Sequence, residues 1–253
     1  MKAKQIRYPG RKWLKHEALW AYPNLREYLP DTMLFSQQAF IDMIERHKVV
    51  FVKPDLGMQG KGIMKVSTIS EKGGGYMIRT EDNAYAYRHV HNAAKKLAQL
   101  IGQQRYLVQQ GIDLIQLKGK PVDFRALLHI KPDGNWRFFG VMGKLAAPNQ
   151  IVTNYSNGGR AIQLHQALGV SVDESREWEQ RIKQLSDEIA AAMKKSFPRI
   201  TELGLDLAID RNKQIWLLEA NTKPHYRLFR HHSNPNLFAK IASSAKSIRS
   251  GGA

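Results

Sequence analysis

Apolar and polar residues alternate on both sides of a polar break in the stretch ELGLDLAIDRNKQIWLLEANTKP, residues 202–224. The alternation predicts two strands, Leu203 to Ile209 and Gln214 to Asn221, joined by a turn over Asp210 to Lys213. If the turn holds an even number of residues, two at Arg211 and Asn212 or four at 210–213, Ile209 lies opposite Gln214 and Asp206 opposite Leu217. Side chains on a strand alternate between faces, so Asp206, Glu219 and Asn221 then share one face, with the two carboxylates as diagonal neighbours roughly 7–8 Å apart. An odd-length turn puts Glu219 on the opposite face.

Elsewhere the pattern predicts a mixture of strands and helices. Phe40, Ile41 and Ile44 recur at helical spacing over 37–47, behind Thr32 or Ser36 as the cap. Val49 to Val52 reads as a buried strand and Ile63 to Ile69 as an alternating one, with Gly57, Gly60 and Gly62 in the loop between them. A short strand is expected within 71–80, and an amphipathic helix over 84–101 that stops at Gly102. Residues 105–114 predict a strand that emerges at Gln109, Gln110 and Gly111. Two strands flank a turn at 132–135 within 122–145, and a long helix with an acidic first turn covers 172–197. Residues 1–30 are basic and aromatic. They read as a solvated helix whose tryptophans dock on the body, or alternatively as the carrier of a phosphate-facing lysine. Residues 238–253 read as a basic helix with a frayed tail.

A chain of 253 residues can bury a substantial core as one large domain or two lobes. Lys and Arg number 39 against 22 Asp and Glu, a net charge of +17, which calls for a polyanionic partner. The absence of cysteine excludes disulfides, thiolate metal sites and a Cys nucleophile. No N-terminal apolar leader and no run of eighteen apolar residues is present, so a cytoplasmic protein without a membrane span is expected.

These features narrow the candidate chemistry. Two carboxylates and an amide oxygen on one face suit a hard cation such as Mg²⁺, which normally keeps phosphates and waters in its remaining positions. Glycine-loop amides can converge on phosphate oxygens, with Lys53 at the strand end and Lys61 within the loop. The glycine spacing leads into a strand rather than a helix and so departs from the P-loop pattern. Gln109 and Gln110 are either a solvated strand end or a hinge that hydrogen-bonds a flat base. Asp123 and Arg125 fall on one face, and Arg125 either pairs with a carboxylate or holds phosphate bidentately. The loop at 151–164, with Asn154, Ser156, Asn157, Gly158 and Gly159, is a turn or a substrate-facing loop. His225, His231 and His232 lie among arginines and read as solvated or anion-facing rather than as a metal cluster.

Taken in order, KPDLGMQGKGI, QQGIDL, VDFRALL, IVTNYSNGG and LLEANTKP resemble the ATP-grasp superfamily, and within it the YheC/YheD group of endospore coat-associated proteins, over about residues 11–240. The resemblance implies an α+β fold in which two α+β lobes grip a nucleotide. Its expected divisions are a basic lead at 1–30, a smaller lobe at 31–108, a larger lobe with the metal site at 109–240, and a basic tail at 241–253. It implies ATP and Mg²⁺ as cofactors. Lys12 and Lys53 would contact phosphates, and Gly57, Gln59, Gly60, Lys61 and Gly62 would form the flap. Gln109, Gln110, Gly111 and Ile112 would line the adenine pocket, while Asp206, Glu219 and Asn221 would hold Mg²⁺. Arg125 and Lys144 would stand at the reacting centre, and Asn154, Gly158 and Gly159 in the substrate loop. The implied activity is an ADP-forming carboxylate–amine ligase working through an acyl phosphate, on an acidic peptide or spore coat-related substrate. Nucleic acid is not the favoured partner. A kinase on the same fold and a non-catalytic, nucleotide-binding coat or scaffold protein are the alternatives. The chain departs from related ligases in two ways. Where they usually carry an additional arginine it has Lys144 and Gly204, which keep at most a charge without the bidentate fork. The resemblance also leads one to expect a domain before the lobes, for which residues 1–30 would be a reduced counterpart.

Overall fold

The computed structural model describes residues 9–57, 60–70, 73–147 and 158–250. In chain order the helices are α1 (Lys12–Trp20), α2 (Gln37–His47), α3 (Val90–Ile101), α4 (Leu164–Leu168), α5 (Val172–Ser196) and α6 (Leu237–Arg249). The strands are β1 (Thr32–Leu34), β2 (Val49–Pro54), β3 (Met64–Ile69), β4 (Gly75–Arg79), β5 (Ala84–Tyr87), β6 (Tyr106–Gln110), β7 (Gln116–Leu117), β8 (Lys120–Ile130), β9 (Trp136–Leu145), β10 (Arg160–Ile162), β11 (Glu202–Ile209) and β12 (Ile215–Asn221). They form two compact units. Pro30–Asp113 builds the smaller, and the described residues on either side of it build the larger.

The smaller unit is an antiparallel sheet in the order β1-β6-β2-β3-β4-β5. Its core joins Phe40, Met43 and Ile44 of α2 and Ala94 and Leu97 of α3 to Val50, Val52, Val66, Ile78 and Val108 of the sheet. Burial of each large apolar side chain contributes roughly 1.5–3 kcal/mol. Ser36 caps α2 by accepting from the Ala39 N–H at 3.0 Å. The stretch 84–101 does not form one helix: Ala84–Tyr87 completes the sheet edge, and α3 begins only at Val90. Tyr85 and Tyr87 fit a pleated, half-buried surface, and pairing with β4 overrides the weaker helical pattern there.

The larger unit is an antiparallel sheet in the order β10-β9-β8-β11-β12, with β7 beside β8. One face packs Phe124, Ala126 and Leu128 of β8 and Leu203, Leu205 and Leu207 of β11 against Ile182, Leu185, Ile189 and Met193 of α5. On the other face Leu127 and Met142 pack with Leu228, Phe229 and Ile241, around α6. β8 therefore alternates between two covered faces, and the series on the side away from α5 runs Asp123, Arg125, Leu127, His129. A bulge opposite Leu127 and Leu128 is accommodated by Gly140 at φ +133°, a conformation that a side chain would strain. Helix α1 reverses the expected arrangement of its surface. Lys12 and Lys15 are buried while Trp20 is 45% exposed. Among the described residues no helix is long and apolar enough to cross a membrane.

Candidate functional site

The hairpin β11–β12 reaches the expected grouping of acids by an unexpected route. Ile209 pairs with Ile215, not Gln214, so the loop is Asp210 to Gln214, an odd number of residues. That loop is organised by Asp210, whose carboxylate accepts from the N–H groups of Asn212 and Gln214 and from the Trp216 indole at 2.8–3.0 Å. Continued without interruption, this register would place Glu219 on the apolar face. A β-bulge intervenes: Leu207 pairs with Leu217 but Asp206 with Glu219, leaving Leu218 as the extra residue. The bulge restores parity, as the burial of Ala220 in the α5-side core confirms. Asp206 and Glu219 thus stand directly opposite one another rather than diagonally, and Asn221 pairs with Gly204 on the same face. A directly opposed pair brings its Cβ atoms to about 4.5–5.5 Å.

Four cations surround these acids. Arg125 of β8 pairs across the sheet with Asp206 and donates Nε to Oδ1 at 3.0 Å and Nη2 to Oδ1 and Oδ2 at 2.9 and 2.8 Å. Lys144 of β9 donates to Asp206 Oδ1 at 2.6 Å and lies 3.1 Å from Asp123 Oδ2. Asn221 donates its amide N–H to Asp206 Oδ2 at 2.8 Å. From α1, Lys12 and Lys15 approach Glu219 Oε1 at 3.2 and 3.6 Å, and Lys15 also donates to the Ala220 carbonyl at 2.5 Å. Burial would raise the Asp206 carboxyl, but Arg125 and Lys144 more than reverse it and hold the group well below the usual carboxylate range. Burial also opposes the charge on Lys144 and Arg125, yet Asp123 and Asp206 leave both more basic than usual. Lys15 shifts the other way: its burial outweighs the attraction of Glu219 and lowers its basicity. Glu219 keeps 25% of its side-chain surface and is the most accessible of these acids.

Sequence reasoning singled out Lys12 and not Lys15, although the i, i+3 spacing that puts both on one side of α1 was readable. Gly204 is not an empty position. A Cβ built there would lie 2.5 Å from Pro224 Cβ and 3.3 Å from Arg125 Cδ and Nη1, so the arginine of the neighbouring strand and Pro224 occupy that space. The oxygen donors of Asp206, Glu219 and Asn221 have the hardness and common face that Mg²⁺ requires. Among the described residues no three His, Cys, Asp or Glu converge as a metal cluster, so a third protein oxygen on this face would come from the Asn221 amide. The donor set fits, provided that an anion takes over the Arg125 and Lys144 groups that Asp206 now engages.

In the smaller unit Lys53 ends β2 and is buried, donating to Gln109 Oε1 at 2.7 Å. Gln110 instead accepts the Asp31 N–H at 3.1 Å, and the Gly111 N–H bonds the Val49 carbonyl at 2.9 Å. Gly111 has no room for a side chain, since a Cβ would lie 2.6 Å from Val49 Cγ1. Ile112, next along the chain, is half-buried. Gly57, Gly60 and Gly62 adopt φ +157°, +75° and +73°, Lys61 is exposed, and a Cβ at Gly62 would stand 3.0 Å from Tyr106 Oη. Gln59 and Asn154 lie outside the described residues. Gly158, at φ +84°, and Gly159 lead into β10 in the larger unit.

This fold is similar to that of solved synthetases. D-cycloserine synthetase DcsG superposes with a TM-score of 0.59 at 13% identity, over 95% of this chain and 71% of that one. D-alanyl-alanine synthetase A from Vibrio cholerae gives 0.56 at 12% identity, over 94% and 65%. Among curated proteins, the endospore coat-associated protein YheD of Bacillus subtilis is 32% identical over 239 residues, 89% of this chain and 50% of YheD. YheC of the same organism is 22% identical over 222 residues, 84% of this chain and 59% of YheC. The chain therefore spans only about half the length of the curated relatives it matches. The YheC/D like ATP-grasp family matches residues 7–245, and with the fold in agreement the chain belongs to that ATP-grasp family.

Proposed function

We propose that this chain is an ATP-dependent carboxylate–amine ligase that forms ADP. The observation that carries this reading is the shared face of β11 and β12, where Asp206, Glu219 and Asn221 meet Arg125, Lys144, Lys12 and Lys15. Such a face can trade partners: phosphate oxygens would take the guanidinium and ammonium groups, and the carboxylates they release would take Mg²⁺. When bound, Mg²⁺ would neutralise charge on the phosphoryl oxygens.

In the proposed reaction a substrate carboxylate oxygen attacks the γ-phosphorus, and the bond to the β,γ-bridging oxygen breaks to release ADP and an acyl phosphate. An amine then attacks the acyl carbon, and inorganic phosphate leaves as the amide forms. The developing charge lies on phosphoryl oxygens, so the work of the chain is positioning and cationic stabilisation. Arg125 supplies a planar fork already oriented by Asp206, and Lys144 a compact charge held by Asp123 and Asp206. In the smaller unit Lys53 and the turn at Gly60 and Gly62 would serve phosphate oxygens. No nucleophilic side chain is needed, in keeping with a chain that has no cysteine. An acidic peptide suits the net charge of +17 as carboxylate donor, and the coat association of the curated relatives makes a spore coat component a reasonable source of it.

A screen of ADP release across candidate carboxylates and amines, with mass spectrometry of the products, tests the proposal. A ligase yields free phosphate and an amide. A stable phosphorylated product would point to a kinase, and nucleotide binding without ADP release across the panel would point to a scaffold.

A further inference from the structure

We infer that Gln109 is a positioning residue for the Lys53 ammonium group and does not read a nucleotide base; this rests on the proposed binding of Mg-ATP. Three buried polar side chains of the smaller unit form a directional chain. Lys53 Nζ donates to Gln109 Oε1 at 2.7 Å, Gln109 Nε2 donates to Thr32 Oγ1 at 3.1 Å, and Thr32 Oγ1 donates to the Pro30 carbonyl at 2.8 Å. Lys53 and Thr32 are each 7% exposed and Gln109 8%.

Chemistry fixes the direction of every bond. An ammonium group only donates, so the amide oxygen must face Lys53. The amide nitrogen only donates, so Thr32 must accept it, and the single hydroxyl proton of Thr32 goes to the Pro30 carbonyl. Oε1 and Nε2 are the acceptor and donor that a glutamine would turn toward a base edge. Here each already makes one hydrogen bond inside the unit, and the side chain that carries their remaining capacity is 8% exposed.

The arrangement suits a lysine that binds phosphate. A lysine stem is long and rotamer-rich, and holding it in one geometry costs conformational freedom. A neutral amide orients the ammonium group without cancelling its charge, which a carboxylate would do. The partners come from three strands that are neighbours in the sheet, Thr32 on β1, Gln109 on β6 and Lys53 on β2. Thr32 and Gln109 form a direct cross-strand pair. Gln110, on the other side of β6, accepts the Asp31 N–H and so secures the segment that carries Thr32.

Calorimetric titration with Mg-ATP, Mg-GTP and Mg-tripolyphosphate, the last a phosphate chain without a base, separates positioning from base reading. Gln109→Ala should weaken all three by a common factor of roughly tenfold or more, the loss of a hydrogen bond to a charged group. Thr32→Val should act in the same direction with a smaller factor, and Thr32→Ser should match the wild type. Should Gln109→Ala fail to fold, Thr32→Val against Thr32→Ser carries the test alone. Loss of ATP binding in Gln109→Ala with tripolyphosphate binding unchanged would make Gln109 a base reader and overturn the inference while leaving the proposed function standing. Unaltered binding of all three ligands by both Gln109→Ala and Thr32→Val would also overturn it. Wild-type protein that binds none of the three would overturn both the inference and the proposed function.

Discussion

Asp206 shows how one carboxylate can organise a whole face of a sheet. Arg125, Lys144 and Asn221 reach it from three strands, so each of those side chains is set in place by the same acid. Removing one partner from a buried ionic group leaves the other uncompensated, which costs more than the pair contributes when intact. Lys144→Met should therefore lower the unfolding free energy in urea by about 3–5 kcal/mol, because both Asp123 and Asp206 would lose the ammonium group that now lies between them. Gly204→Ala is expected to cost about 1–3 kcal/mol by forcing Pro224 and Arg125 aside. It should also weaken Mg-ATP binding, since Arg125 would lose its alignment on Asp206. Lys53→Ala and Glu219→Gln should each remove the thermal stabilisation given by Mg-ATP, and each should also lower the melting temperature of the free protein, because the first takes the donor from Gln109 and the second the charge from the carboxylate beside buried Lys12 and Lys15. Retained stabilisation in both variants would exclude these two residues from the nucleotide site.

At the scale of elements, a single β-bulge in β12 keeps the two acids on one face. Deleting Leu218 would close the bulge and leave Leu207 opposite Leu217 and Asp206 opposite Glu219 in an uninterrupted ladder, whereas one further residue inserted after Leu218 would turn Glu219 toward the α5-side core, where Ala220 now packs. The insertion should fail to fold cooperatively by denaturant titration, whereas the deletion and Leu218→Ala, which keep Glu219 opposite Asp206, should fold. A second element-level effect concerns the docking of α6. His129 of β8 is fully buried, with Nδ1 at 3.0 Å from Ser244 Oγ of α6 and Nε2 at 3.9 Å from Glu202 Oε1. Glu202 is held at 3.0 Å by Arg249 of α6, so it does not recruit a proton to the imidazole. Burial, with a smaller effect of Arg249, lowers the His129 pKa from 6.5 to about 4. A histidine less basic in the folded state contributes stability that is fully present above the unfolded pKa. That contribution is lost as pH falls from about 6.5 through about 4, roughly 3 kcal/mol over the window. Melting temperature should fall over that range, and His129→Gln should flatten the decline.

Across the whole molecule, 39 Lys and Arg against 22 Asp and Glu leave a net charge of +17 that internal ion pairs do not cancel. The excess attracts polyanions at long range and is screened by salt, so affinity for Mg-tripolyphosphate or an acidic peptide should decline steadily between 0.05 and about 0.5 M NaCl. Salt-independent binding would place recognition in short-range contacts instead. The N-terminal residues, which read as a solvated lead, are part of the larger unit because α1 brings Lys12 and Lys15 to Glu219 and buries Leu19 in its core.

Periodicity by itself determined the strong elements: α2 and α5, the hairpins around 132–135 and 210–213, and the glycine connection between β2 and β3. Ordered motifs by themselves indicated the family and brought Lys53, Arg125, Lys144, Asp206 and Glu219 forward as charged side chains on strands. These signals are local, since a hydrophobic repeat or a glycine turn acts over a few residues. Tertiary structure decided the rest, because it depends on partners distant in the chain. Gln109 looks like a strand end until Lys53 and Thr32 arrive on neighbouring strands. Gly204 looks like a missing side chain until Arg125 and Pro224 fill its space. The face of Glu219 could not be counted from the turn, because an odd loop and a bulge each reverse the alternation and only their sum is physical. Burial of Leu217 and Ala220 on one side and the attraction of Lys12 and Lys15 on the other settle that sum.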